Sequence, residues 1–355
     1  MRARTRWIWA AMLGLAAVPA QAQTSAPAPD AETVQSYRDL ARADQRVAAI
    51  GYRLAHAARD WCSDTVPSLG WLLTDRLQYP AKDQRAAAMA YNTLWPESPD
   101  IIIAAISPDS PAARARFHVG EAVVAIDGEE LAALAATSER KKRGTFSRMG
   151  LIEQAMDRWL ADGKAEVRVR NAMRNGQGMS LEATVAVKPE RICATRFAVR
   201  TSNQLNGGAD GERVQVTSAL ADYAVHDEEL ASVLAHEFAH NILKHRLALN
   251  SAGVTRGLLQ EFGKNARLTR ETEEEADRLS VWLLMKAGYD PGAAARFWAR
   301  FGPEHDGGIL RSRTHGSWKS RLDAMQAEAE RARTALTSDR NARPPLVSAV
   351  GGTGK

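Results

Sequence analysis

The chain has 355 residues, 47 Lys plus Arg against 42 Asp plus Glu, and two cysteines. Apolar residues make up 45% and charged residues 25%, which excludes a chain disordered throughout and a disulfide-framework miniprotein. The length suits about two domains, and the formal charge of +5 says nothing of an anionic partner until it is located.

Much of that charge lies at the N-terminus. Arg2, Arg4 and Arg6 precede the apolar run from Trp7 to Val18, and Ala20-Gln21-Ala22 offers an A-x-A cleavage site. This is the layout of a secretory signal peptide over residues 1–22, too short in its apolar part to span a membrane. Cleavage near Ala22 removes three arginines and no acids, taking +5 to +2. The expectation is a periplasmic or secreted protein, since no later run reaches the ~18 apolar residues of a transmembrane helix. In such a compartment Cys62 and Cys193 are candidates for a disulfide, although sequence alone does not bring two sulfurs together.

Residues 23–84 read as a flexible leader followed by a helical segment, with Leu40, Val47, Ile50, Leu54 and Trp61 at helical spacing from about Thr33 to Trp61. Residues 85–190 change character. Ile101 to Ile106 is a buried-strand run, Ser110 and Pro111 open a short helix, and Gly120 leads into a strand from Ala122 to Ile126 that ends in the tight turn Asp127-Gly128. A helix from Phe146 to Leu160 and strands at Ala165 to Arg170 and Leu181 to Val187 follow. The pattern S-P-A-A-x-A, then G-E-x-x-x-x-I-D-G, resembles a PDZ domain, which implies a small β-barrel with two helices. Arg116-Phe117 stands where that family has a small residue and glycine, and no Gly-rich carboxylate-binding loop is recognisable in Ala88 to Asp100. Peptide capture and a packing or gating role therefore both stand open for this module.

The basic run from Arg140 to Arg143 carries no interleaved aromatics and reads as a solvated loop rather than a nucleic-acid site. Peripheral contact with an anionic membrane surface is the one membrane role left to it. From residue 193 short strands, Phe197 to Arg200 and Arg213 to Val216, give way to long helices up to about Ala335. Residues 336–355, with Pro-Pro and Gly-Gly-Thr-Gly, read as a disordered tail.

The strongest chemical motif is H-E-x-x-H at His236, Glu237 and His240. On a helix four residues turn through about 400°, so the two imidazoles share a face and can hold one Zn²⁺, with Glu237 beside them as general base. Asp227 is the expected N-cap of this helix. A catalytic zinc takes three protein ligands, and the acidic cluster Glu271-Thr272-Glu273-Glu274-Glu275-Ala276-Asp277 is the obvious source of the third. Glu273 and Asp277 share a face at i and i+4, so Glu273 can bind metal while Asp277 orients a histidine. Glu271, Glu274 and Glu275 stay open on spacing alone. His245 points off the ligand face of a continuous helix and reads as structural, like His56, His118, His226 and His305.

These motifs resemble the M48 family of gluzincin metallopeptidases, whose pattern is H-E-x-x-H followed by E-x-x-x-D on a second helix. The resemblance covers about residues 193–335. It implies an α+β fold: a mainly helical peptidase domain with a small edge sheet, here preceded by the PDZ-like barrel. It implies one Zn²⁺ per chain on His236, His240 and Glu273, with Glu237 as base and Asp277 behind a histidine. Gly211 to Leu220 resembles the family's edge strand. Arg313-Thr314-His315-Gly316 with Arg321-Leu322 resembles its T-H-P…R-[IL] element, with Gly316 in place of proline. By that resemblance His315 stabilises the oxyanion or occupies the open zinc position, and Arg321 aids it. The expected activity is that of an exported zinc metalloendopeptidase of envelope protein quality control, acting on polypeptides including misfolded envelope proteins. The competing expectation is a gated or non-proteolytic chaperone for exported polypeptides.

Overall fold

A computed structural model describes residues 28–93, 101–134, 145–171, 181–254, 263–305 and 318–350. The signal peptide, the 140–143 basic run and His315 fall outside the described residues. The first element is the helix α1 (Ala31–Ala57), capped by Asp30, whose carboxylate accepts from the Thr33 amide at 2.8 Å. The α-helix stops before Trp61, which instead lies in a 3₁₀ turn, Arg59–Trp61. The two faces of α1 do different work. Val47, Ile50 and Leu54 enter the core of the C-terminal half, while Tyr37, Leu40 and Ala41 pack on the sheet described next.

That sheet is antiparallel, with strands β2 (Trp71–Asp75), β3 (Ile101–Ile106), β4 (Ala122–Ile126), β6 (Ala165–Asn171) and β7 (Leu181–Val187) side by side, and β5 (Glu129–Glu130) paired to β4. β3 is a near-continuous apolar run because both faces are covered. Ile101 and Ile103 meet Met149, Ile152 and Met156 of α4 (Thr145–Trp159), whereas Ile102 and Ala104 meet Tyr79, Tyr91 and, beyond them, α1. Between the strands lie α2 (Gln84–Ala90) and α3 (Pro111–Arg114), the latter opened by Ser110, whose hydroxyl accepts from the Ala113 amide at 3.2 Å. Arg116 has φ +62°, the left-handed conformation that glycine adopts without cost.

Two features depart from the sequence reading. The sheet is open, with β2 and β7 at its two ends and unpaired to each other among the described residues, so the expected PDZ-like barrel is not closed. It also draws in β2, which precedes residue 85. Asp75 at the end of β2 forms a fully buried ion pair with Arg148 of α4 at 2.8 Å, pinning strand to helix.

After β7 the chain enters β8 (Glu190–Cys193), which pairs antiparallel with β1 (Thr65–Ser68), the strand just before β2, beside the Cys62–Cys193 disulfide, whose Cα atoms are 5.6 Å apart. A three-stranded sheet follows, ordered β10 (Gly207–Ala209), β11 (Arg213–Thr217), β9 (Arg196–Arg200). α5 (Ser218–Tyr223) and α6 (Asp227–Ile242) pack on it; α7 (His245–Ser251), α8 (Gly263–Lys286) and α9 (Gly292–His305) pack on α6, and α10 (Trp318–Ser338) packs on α8 and α9. Among the described residues no helix is long and apolar enough to cross a membrane. The tail differs from expectation up to residue 350. Pro345–Val350 forms α11, and Val347 is buried in the C-terminal core beside Leu346 and Ala342. Apolar side chains spaced to reach that core outweigh the Pro-rich composition.

Candidate metal centre

The motif sits on α6, whose Leu230, Leu234, Phe238 and Ala239 are fully buried. Asp227, Glu228 and Glu229 fill the first turn and complement the positive end of the helix. The N-cap position is His226, without a side-chain cap. Asp227, the expected cap, lies one residue inside and pairs with Arg46 of α1 at 2.7 Å, a partner that local sequence does not show.

His236 and His240 turn their Nε2 atoms to one point, 3.3 Å apart. Glu273, from α8 packed along α6, brings its carboxylate to the same point, with Oε2 3.2 Å from His236 Nε2 and Oε1 3.5 Å from His240 Nε2. Among the described residues this His-His-Glu group is the one that can hold a metal ion.

Each histidine is held from behind. His236 Nδ1 lies 2.9 Å from Asp277 Oδ1. Asp277 is 3% exposed and is gripped by Arg321 of α10 through Nε and Nη2, both at 2.6 Å. The guanidinium of Arg321 lies 3.8 Å from the ring centroid of Trp298 on α9. By the resemblance Arg321 aids His315 at the oxyanion or the open zinc position; in the structure its fork engages Asp277, and the side chain also lines the cavity that Glu237 faces. Burial works against a charge on His236, but Asp277 and Glu273 overcome it and push the imidazole up to about 10. His240 is held down to about 3, first by burial; Glu273 works the other way, and the neighbouring histidines add to the lowering. Asp277 stays below the usual carboxylate range because Arg321 and His236 more than offset its burial.

The back of His240 is held by a residue that periodicity misplaced. α6 ends near Leu243, and Lys244 takes a left-handed conformation, φ +56°. The chain bends there and swings His245 back onto His240, ring nitrogen to ring nitrogen (Nδ1 to Nδ1) at 2.9 Å. His245 is 4% exposed, and its Nε2 lies 3.0 Å from Glu275 Oε2. Of the other acids left open, Glu271 pairs with Arg267 and is exposed, and Glu274 is exposed.

Glu237 is half-buried and faces a cavity of about 280 Å³. One wall is apolar, from Leu220, Val233, Phe297, Trp298 and Phe301. The opposite rim is β10. A Cβ on Gly207 would stand 3.2 Å from Glu237 Oε1, so the strand crosses close over the base. The Asn241 side chain accepts from the Gly211 amide at 2.8 Å and ties the β10–β11 turn to the motif helix. The stretch Gly211 to Leu220, which resembles the family's edge strand, contains β11; that strand is paired on both sides, and the edge over the site belongs to β10.

Residues 177–263 match the family model of Peptidase family M48, a stretch that contains the histidine motif and ends before Glu273. The chain is 32% identical over 144 residues to the Beta-barrel assembly-enhancing protease of Yersinia pestis, covering 30% of each chain. It is 27% identical over 130 residues to the protein of that name in Escherichia coli K12, covering 28% of this chain and 27% of that one. It is 27% identical over 137 residues to the Mitochondrial metalloendopeptidase OMA1 of Schizosaccharomyces pombe, covering 33% of this chain and 41% of that protein. The chain thus spans less than half the length of each of these relatives. Taken with the converging His-His-Glu group, the similarity supports an M48-type metallopeptidase.

Proposed function

We propose that this chain is a zinc metalloendopeptidase that hydrolyses peptide bonds of extended polypeptides. The single observation that carries the reading is the triangle of His236, His240 and Glu273 donors beside Glu237. Ligand atoms ~2.0–2.2 Å from a tetrahedral ion stand roughly 3.3–3.6 Å apart; the two imidazole nitrogens are 3.3 Å apart, and the two oxygens of Glu273 lie 3.2 Å from His236 and 3.5 Å from His240. Two imidazoles and one carboxylate, with a cavity on the open side, are the donor set of a catalytic rather than a structural zinc site. Bound there, zinc supplies a water of lowered pKa and polarises the scissile carbonyl.

The protein's own residues do the rest. Glu237 accepts the proton of the attacking water and returns it to the leaving amine. Asp277 fixes the ring of His236 so that Nε2 faces the ion. The β10 edge offers backbone groups to a substrate laid alongside in extended form, and the cavity wall excludes water. His315 belongs to this reading as the residue that stabilises the oxyanion or occupies the open zinc position, and the PDZ-like module as a device that presents or withholds substrate.

An exported, envelope-located enzyme fits the arginine-led apolar N-terminus and the Cys62–Cys193 bridge, which persists in oxidising compartments. Relatives named as proteases support polypeptides as the substrate class, and misfolded envelope proteins are the members of that class an exported enzyme would meet. Glu237→Gln should retain metal and lose turnover of an unfolded protein such as casein. Undiminished proteolysis by the purified variant overturns the reading. Gating by His315 predicts that His315→Ala raises a weak basal activity.

A further inference from the structure

The proposed reaction does not use His245, yet it is buried and touches His240 directly. We propose that His245 and Glu275 form a positioning arm that fixes the tautomer and orientation of His240, and thereby sets how tightly the centre holds its metal. The inference rests on the metal-centre reading above.

The proton positions follow from the geometry. The Nε2 of His240 faces His236 and Glu273, so a metal there takes its lone pair. The one ring proton of His240 must then sit on Nδ1, 2.9 Å from His245 Nδ1. That contact is a hydrogen bond only if His245 Nδ1 accepts, which places the proton of His245 on Nε2. There a carboxylate acceptor waits, Glu275 Oε2 at 3.0 Å. Every donor meets an acceptor in one direction along Glu275, His245 and His240. Reversing His240 would set its Nδ1 lone pair against that of His245 and turn an N–H toward the metal. Metal-ligating histidines gain basicity and orientation from such partners. α8 therefore reaches both histidines, through Asp277 for His236 and through Glu275 by way of His245 for His240.

The test is a metal titration rather than an activity assay. The metal-depleted full chain is titrated with Zn²⁺ against a chromophoric chelator, and with Co²⁺ to read the visible bands. Wild type is compared with His245→Ala, His245→Asn and Glu275→Gln. The expected result is one equivalent bound by wild type and about 10- to 100-fold weaker Zn²⁺ binding in His245→Ala, with altered Co²⁺ bands. His245→Asn should recover part of the loss, because its amide oxygen can accept the His240 N–H where Nδ1 stood. Glu275→Gln should lose affinity by a smaller factor. Equal affinity and unchanged bands in His245→Ala overturn the arm. Should that variant fail to fold by circular dichroism, Glu275→Gln decides. Its position is 45% exposed at the side chain, and wild-type affinity there overturns the arm. A wild-type chain that takes up no metal overturns the centre itself, whereas a binding wild type matched by His245→Ala overturns the arm alone.

Discussion

The two histidines of the centre are held by supports of opposite physical character. Behind His236 stands a sealed pair of charges, Asp277 and Arg321, 3% and 8% exposed, with the guanidinium stacked on Trp298. Behind His240 stands the ring of His245, whose far nitrogen meets a carboxylate open to solvent. Both can orient a ring. They differ in what happens when they break, because water can replace a lost partner at the open support and cannot at the sealed one. The sealed support should therefore couple the site to the stability of the fold, and the open one should govern metal affinity alone.

The largest expected effect is at Asp277. Asp277→Ala leaves the Arg321 charge buried without its partner, which costs about 3–5 kcal/mol, measurable by denaturant unfolding, and also weakens metal binding. Adding Arg321→Met should restore most of the stability and none of the metal affinity. Recovery of both would erase the distinction between the supports. Next comes the stack beneath Arg321. Trp298→Leu removes a buried cation–π contact of about 0.5–2 kcal/mol, and unfolding should show a loss in that range. Smallest in stability is the open support, where Glu275→Gln should stay within about 0.5 kcal/mol of wild type in the same assay. A larger loss would make the open support structural after all.

A buried carboxylate with no cationic partner among the described residues sharpens the contrast. Asp44 on α1 accepts a hydrogen bond from Tyr91 at 2.6 Å. Burial outweighs that bond and raises its carboxyl to about 7. The folded state then holds this proton more tightly than the unfolded chain does, so stability falls as pH rises from about 4 to about 7. Asp277 has the opposite sign. Its depressed carboxyl lends stability that is present above its unfolded value near 4 and is lost as pH falls through the lower folded value. Asp44→Asn should remove the fall between about 4 and 7, read by thermal unfolding across that range. An unchanged slope would mean that Asp44 ionises as an ordinary surface carboxylate does.

What sequence reading could and could not see follows the same division between local and non-local causes. The motif helix, Ile101–Ile106 and the Ser110-Pro111 start are local patterns; periodicity puts the first two where the structure has them, and capping places the third. Misses came where a distant segment decides. Gly207-Gly208-Ala209 has no strand composition and becomes the edge strand only because β11 offers it a partner. Asp227 left the cap position for Arg46, 181 residues away. The open sheet was not legible because closure depends on which strands pair, and alternation alone does not say. His245 was misplaced by assuming one helix through Lys244. A single left-handed residue there turns a side chain expected to point away from the ligand face into a partner of His240. No feature of Leu243-Lys244 announces that break in the sequence.

The central claim is that His236, His240 and Glu273 together hold one metal ion beside Glu237. It is tested most directly by the metal content of the purified chain, measured by mass spectrometry of the elements, in wild type and in Glu273→Ala. The account predicts one zinc per wild-type chain and its loss from the variant. A metal-free wild type, or a Glu273→Ala chain that retains its full zinc, would contradict it.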